Sequence, residues 1–325
     1  MNWRYHGKVI LWVTKMGNIM KVLAFLTIFF VNKPTIAIPV PSAGIPAGLV
    51  SIHSQNPLHA IVVEKRTQKL FLYESSNAQY RLVKSFQVAT GQVIGTKITQ
   101  GDKRTPEGIY FFTKELGNGS LLPKHGKRAF VLNYPNVFDQ RARKTGNGIW
   151  LHGTDQPERI VTGFATEGCV ALRNEELDQL TQYIQLGETP ILIYDVVPLV
   201  NSEDLQVKQQ QVHQLLNAWK SSWEKEDIEK YMGFYSRNSF NSNHMNWKRW
   251  KTYKESLAQQ YANISVEIKG LKILDHKDQM LVSFVQHYSS DLHEDRGEKW
   301  MYFEREGNEW KIIAEDWRPE HEGSP

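Results

Sequence analysis

Cys169 is the only cysteine in the 325-residue sequence. It follows Thr166-Glu167-Gly168 and precedes Val170-Ala171-Leu172-Arg173-Asn174, and His152-Gly153 lies a short way upstream, behind the apolar run Ile149-Trp150-Leu151. A thiol is mostly protonated at neutral pH, so a cysteine nucleophile needs a base. That base needs a third group to orient it, and the oxyanion that develops on attack needs backbone N–H donors. His152, at the end of a strand-like run, is a candidate base, and a carbonyl near Gly153 is suited to hold its tautomer. Gly168 lets the chain turn sharply and leaves the backbone open to a substrate. The N–H groups of Gly168 and Cys169 are then the natural oxyanion donors. Spacing alone leaves the bland alternative open, that both side chains are satisfied core residues.

Other chemistries fare worse. A lone cysteine makes no intramolecular disulfide and anchors no multi-cysteine zinc site. His276, His287 and His293 are scattered without metal-ligand spacing, so no metal and no cofactor are expected. The formal net charge is +4, from 39 basic and 35 acidic residues without a long block of one sign. The short basic clusters at 124–128 and 248–251 read as solvated surface. A nucleic-acid reader concentrates its Lys and Arg in a stripe or patch, so no nucleic-acid partner is expected. A mild positive balance suits a polyanionic surface.

The elements that must position Cys169 and His152 read as β. Ile61-Val62-Val63 and Leu70-Phe71-Leu72-Tyr73 flank a polar turn at 65–69, a hairpin pattern. Further strands are expected at 80–90, 108–112, 129–132, 148–151 and 191–194, separated at short intervals by turn residues, as in a sandwich or barrel. One helix is expected after Cys169, with Asn174 as N-cap, Glu175 and Glu176 in the first turn, Leu177, Leu180 and Ile184 on one face, and Gly187 closing it. A polar, Gln-rich stretch at 201–211 suggests a domain boundary near Val200. Beyond it, helices at 212–235 and 247–261 precede strands at 264–268, 279–288, 299–305 and 309–316, an α+β pattern.

At the N-terminus, Lys21 precedes a mostly apolar run at 22–31, short for a membrane span but suited to a signal-peptide core. Thr35-Ile36-Ala37 is a plausible cleavage site, and an uncleaved anchor is the alternative. Residues 38–57, rich in Pro, Gly, Ala and Ser, read as a linker. A free thiol exported to an oxidising compartment needs a reason to be there.

The segment 148–174 resembles the L,D-transpeptidase (YkuD-type) catalytic domain. That family's pattern is a His-Gly pair followed by Ser/Thr-His-Gly-Cys. Here it stands as His152-Gly153 and Thr166-Glu167-Gly168-Cys169, with Glu167 where the common form has His. Thr105-Pro106-Glu107-Gly108, Thr90-Gly91 and Leu132-Asn133-Tyr134-Pro135-Asn136 also match, and the resemblance covers about residues 58–195. It implies Cys169 as nucleophile, His152 as base, Gly153 orienting the histidine, Gly168 in the oxyanion hole and Thr166 supporting the site. It gives Arg173 either a substrate carboxylate to bind or only a solvent-facing place before the helix. It also implies attack on the bond between meso-diaminopimelate and D-Ala in tetrapeptide stems of peptidoglycan, through a thioester. An amine acceptor then gives a cross-link or attaches a wall protein, and water gives L,D-carboxypeptidase activity. Glu167 reads either as an ion-pair partner or as a packing replacement for histidine.

The tail resembles the nuclear-transport-factor-2-like fold, a cone of helices around a curved antiparallel sheet. Trp219, Trp223, Asp227, Tyr231, Phe234-Tyr235 and Trp247-Lys248-Arg249-Trp250 carry that resemblance, which extends to L,D-carboxypeptidases that set cell shape. The aromatics supply either core or a sugar- or peptide-binding pocket, and the domain's expected role is substrate positioning or protein contact. The expected architecture is a mainly β, sandwich-like catalytic domain at 58–197 and an α+β, cone-shaped domain at 203–325, behind a signal or anchor at 1–37. Three functions remain open: transpeptidase, hydrolase of the same fold, or a non-catalytic wall-binding protein.

Overall fold

The computed structural model describes residues 44–52, 58–76, 79–117, 119 and 121–320. The expected signal segment and part of the expected linker lie outside the described residues. Among the described residues no helix is long and apolar enough to cross a membrane. The first half runs through β1 (Ile45–Pro46), β2 (Leu49–Ile52), β3 (Leu58–Glu64), β4 (Lys69–Ser76), β5 (Gln79–Gln87), β6 (Gly108–Leu116), β7 (Ala129–Leu132), α1 (Val137–Arg141), β8 (Trp150–His152), α2 (Glu158–Thr162), β9 (Val170–Ala171), α3 (Asn174–Thr181), β10 (Pro190–Tyr194) and β11 (Leu199–Val200).

Eight of these strands form one sheet in the order β5-β4-β3-β10-β6-β7-β8-β9. Its central strands are apolar at consecutive positions because both faces are covered. Ile61, Val63, Tyr110, Phe112, Ile191 and Ile193 face one core, shared with Leu151, Val170 and Leu172. The alternate residues Ala60, Val62, Ile109, Phe111, Leu192 and Tyr194 face a second core, shared with Leu274, Leu281 and Trp300 from the C-terminal half. Beyond β5 the chain returns to the far edge: Ala89 bridges Ala171 and Gly91 bridges Thr166. The sheet therefore curls until its two edges meet beside Cys169.

The C-terminal half runs through α4 (Ser202–Glu224), α5 (Ile228–Gly233), β12 (Asn241–Ser242), β13 (Met245–Asn246), α6 (Trp247–Ala258), β14 (Ser265–His276), β15 (Gln279–Ser289), β16 (Glu294–Glu306) and β17 (Glu309–Pro319). Its sheet has the order β17-β16-β15-β14-β2, and the helices close over one face around Trp219, Tyr231, Tyr235, Phe284 and Phe303. This is the helix-over-curved-sheet, α+β arrangement expected of the tail.

Several local expectations are corrected. Part of the stretch read as a linker is strand: Leu49, Val50, Ser51 and Ile52 are all buried, and β2 pairs antiparallel with β14 as the fifth strand of the C-terminal sheet. The Pro/Gly-rich flanks mask this short apolar run. Gly48 is required for it, since a Cβ there would lie 2.0 Å from the Tyr194 hydroxyl and 2.3 Å from the Asp275 carbonyl. The polar stretch 201–211 is the first half of α4, with Asn201 accepting the Asp204 N–H at 2.8 Å as N-cap. Leu205, Val212, Leu216 and Trp219 share its buried stripe, while the Gln-rich residues occupy mainly the outer face. The single helix expected at 212–235 breaks at Glu226, which has φ +56°, and restarts at the Asp227 cap. The N-cap of α3 is Arg173 rather than Asn174.

Polar contacts reinforce the contact between the halves. The Tyr194 hydroxyl donates to the Asp275 carbonyl at 2.8 Å, and the neighbouring His276 ring stacks on Tyr194 and hydrogen-bonds the Ile193 carbonyl at 2.9 Å. Glu107 pairs with both Lys65 at 2.9 Å and Lys277 at 2.8 Å.

Candidate active site

His152 ends β8, and Cys169 immediately precedes β9, which runs parallel to it with Leu151 opposite Val170 and His152 opposite Ala171. Continuing that register sets Cys169 beside Trp150. Residues two apart on a strand face the same way, so His152 and Cys169 reach one cleft, of about 480 Å³. His125, Lys124, Trp150, Arg159 and Glu167 also line it.

His152 is almost fully buried. Its Nδ1 lies 2.5 Å from the Gly153 carbonyl, an acceptor, which makes Nδ1 the protonated nitrogen and leaves Nε2 with a free lone pair. The His125 ring stands edge-on to both His152 and Trp150, with centroids 5.0 Å apart in each pair. Burial pushes the His152 pKa down to about 4 against the pull of the Gly153 carbonyl. Burial pushes the Cys169 thiol up to about 11, with the Trp150 backbone opposing it. The resting pair is therefore neutral thiol and neutral imidazole, and the thiol donates to the Gly148 carbonyl at 3.6 Å.

This has a direct consequence. Alkylation of Cys169 by iodoacetamide is expected to climb steadily from pH 6 to pH 10 with no plateau near neutrality. A plateau with its midpoint below pH 7 would mean a preformed thiolate–imidazolium pair.

The turn before Cys169 is closed by hydroxyls. Thr166 Oγ1 donates to the Cys169 carbonyl at 2.7 Å and accepts the Gly168 N–H at 3.1 Å. Thr105 Oγ1, from the Thr-Pro-Glu-Gly turn, approaches the same carbonyl at 3.5 Å. Gly168 has φ +127°, and a Cβ there would sit 2.8 Å from the Arg104 carbonyl. The Gly168 N–H, expected as an oxyanion donor, is engaged by Thr166 in this structure. The Cys169 N–H is the donor that remains of the expected two.

Arg173 stands apart from the cleft. Its guanidinium lies 3.3 Å from Glu176 at the start of α3, and it does not line the cleft. Glu167 is largely exposed at the rim, 3.7 Å from Lys124, an ion pair of the kind worth little in water. Four residues to which sequence reasoning gave no catalytic part stand at or beside the site. Lys124 and His125 belong to a cluster read as plain surface, so the pair itself is a correction. Arg159 sits on α2, between the two halves of the motif. The fourth is Asn174, expected only as a helix cap, whose Oδ1 accepts the Lys127 N–H at 3.3 Å while its Nδ2 donates to Asp155 at 2.7 Å.

Asn174 also explains why a glycine follows His152. A Cβ on Gly153 would fall 2.1 Å from Asn174 Oδ1. Gly153→Ala is expected to cost about 1–3 kcal/mol through overpacking and to lower turnover by displacing His152. Thermal unfolding and turnover of Gly153→Ala beside Gly153→Ala/Asn174→Ala check this. The double variant should recover stability, and failure to recover would place the strain elsewhere.

The C-terminal half holds a second cleft of about 330 Å³. Trp223, Trp250, Tyr231 and Tyr253 surround the Lys254 ammonium, at 4.6 Å from the Trp223 centroid and 4.8 Å from that of Trp250. Among the described residues no carboxylate pairs with Lys254, and burial pushes its pKa down to about 8. Trp219 is core, whereas Trp223, Trp250 and Trp317 line the cleft. Among the described residues no group of three or more His, Cys, Asp or Glu is placed to hold a metal ion.

The L,D-transpeptidase catalytic domain family matches residues 58–193, and the Cds6 C-terminal NTF2-like domain family matches 211–316. The putative L,D-transpeptidase YafK of Escherichia coli K12 is 26% identical over 126 residues, covering 38% of this chain and 46% of that protein. The chain thus spans about half the length of that relative. The putative L,D-transpeptidase YqjB of Bacillus subtilis is 30% identical over 151 residues, 43% of this chain and 76% of that protein. Among solved structures, Bd1075 of Bdellovibrio bacteriovorus is 36% identical, with TM-score 0.78 over 86% of this chain and 100% of that one. The helical cell shape determining protein Pgp2 of Campylobacter jejuni, 24% identical, shares the fold with TM-score 0.66 over 82% of this chain and 95% of its own. The chain belongs to the L,D-transpeptidase family, and it carries a C-terminal NTF2-like domain.

Proposed function

We propose that the protein is a cysteine acyltransferase that attacks the meso-diaminopimelate–D-Ala bond of tetrapeptide stems through Cys169. The observation that carries this reading is the His152 tautomer: Nδ1 is tied to the Gly153 carbonyl, so Nε2 can accept a proton. His152 Nε2 takes the Sγ proton as sulfur attacks the carbonyl carbon of the L-centre. The oxyanion faces the Cys169 N–H. Collapse breaks the C–N bond, and the imidazolium returns its proton to the leaving D-Ala amine. A thioester remains on Cys169. An acceptor amine, deprotonated by His152, then gives a cross-link or attaches a wall protein.

A second reading is hydrolysis of the same thioester by water, leaving a tripeptide. The same nucleophile and base serve both outcomes, which differ only in whether an amine or water reaches the thioester. Disaccharide-tetrapeptide muropeptides incubated with the protein and with Cys169→Ala, read by mass spectrometry, separate the two. Cross-linked dimers lost in the variant are the transpeptidase result, and tripeptide monomers without dimers are the carboxypeptidase result. No Cys169-dependent product would leave a binding protein.

The NTF2-like domain has substrate positioning as its proposed part, since an aromatic-walled hollow around an unpaired ammonium suits an anionic, ring-bearing fragment. Action on the wall entails export, for which the apolar run at 22–31 would serve as signal or anchor. The units 58–197 and 203–325 are the proposed domains, with the β2 residues counted to the second.

A further inference from the structure

We propose that Arg159 recognises the free α-carboxylate of the leaving amino acid, which makes the cleft selective for stems that end one residue beyond the attacked carbonyl. The proposal rests on the function proposed above and supplies the residue behind its substrate choice. Of the other cleft cations, Lys97 pairs with Asp102 at 2.9 Å, and Lys124 lies exposed at the rim, 3.7 Å from Glu167. Arg159, half-buried in the cleft wall, has no carboxylate partner among the described residues.

Its guanidinium is nonetheless fixed. Nη1 donates to the Lys124 carbonyl at 3.1 Å and Nη2 to the Ala165 carbonyl at 2.8 Å, so it bridges the His125 wall and the segment leading to Cys169. A guanidinium carries five N–H donors in a rigid plane. Two are engaged on carbonyls, and the others remain for a ligand. The positive charge of Arg159 also acts on Cys169, His152 and His125, which sets it within electrostatic reach of the reacting atoms. The carboxylate of a C-terminal residue lies one residue from the bond that releases it, and Arg is the side chain that grips carboxylates through two parallel bonds. An amidated stem offers no such anion, and an extended stem carries its carboxylate farther from the attacked carbonyl.

The test uses the Cys169→Ala chain, which binds without turnover, and calorimetric titration of a tetrapeptide stem as free acid and as C-terminal carboxamide. The free acid is expected to bind about 10- to 100-fold more tightly, the range for hydrogen bonds to a charged group. Adding Arg159→Gln should remove that preference while leaving the carboxamide's affinity unchanged, and adding Arg159→Lys should restore part of it. Because the comparison is between two ligands on one protein, a loss of folding cannot imitate it. Equal affinity for acid and carboxamide in the Cys169→Ala chain overturns the assignment, as does a preference that survives Arg159→Gln. Failure of the wider reading appears separately, as no Cys169-dependent product from the free acid with the unaltered protein.

Discussion

His152→Ala is expected to lower the rate of acyl-enzyme formation at pH 7 by about 10²- to 10⁴-fold, the usual worth of a positioned general base. The thiol sets the upper end. With a pKa of about 11, Cys169 is ionised in only about one molecule in 10⁴ at pH 7, so without a base the reaction runs through that minor population. The pH dependence then separates the two chains. The unaltered protein should be nearly flat from pH 6 to pH 9, because His152 stays unprotonated well above its pKa of about 4. The variant should gain about tenfold per pH unit over the same interval, as thiolate replaces the missing base. Single-turnover measurements on a tetrapeptide stem give both numbers. A variant at the unaltered rate, or one without the slope, would remove His152 from the chemistry.

The second large effect is on stability. A chain that begins at Leu58 keeps the whole region matched to the catalytic family but loses β2. Leu49 and Val50 are fully buried and Ile52 nearly so, two of them in the core between the halves and Val50 in the C-terminal core. Burying three such side chains contributes roughly 5–8 kcal/mol before entropy. Ordering the strand takes back much of this, and a net loss of about 1–3 kcal/mol lowers Tm by roughly 2–12 °C. Removal also bares the edge of β14, an invitation to pair with another chain. Lower Tm with concentration-dependent association is the expected result in calorimetry and light scattering. An unchanged Tm would mean that β2 is dispensable.

These two predictions mark what the sequence makes readable and what it hides. The catalytic strands are legible because β3, β6 and β10 are buried on both faces, which writes them as unbroken apolar runs. The Cys-His pairing is legible only through its glycines, since Gly153 and Gly168 are small for steric reasons that a motif preserves. β2 is hidden because four residues flanked by Pro and Gly resemble a linker until a distant strand pairs with them. The start of α4 is hidden because its buried positions are spaced between glutamines. Arg159, Lys124 and His125 come to the cleft only when β7, β8 and the α2 segment fold together, and no local spacing announces that. Arg173 follows the motif closely in sequence yet turns to Glu176, because the helix beginning there offers it a nearer carboxylate.

The most direct measurement is intact-mass analysis of the acid-quenched protein during turnover of a tetrapeptide stem, beside Cys169→Ala. The account predicts an adduct equal to the stem less D-Ala, mapped by digestion to Cys169 and absent from the variant, which should form no product. Product accumulating at the same rate in Cys169→Ala would contradict it, because the chemistry would then not pass through the thiol.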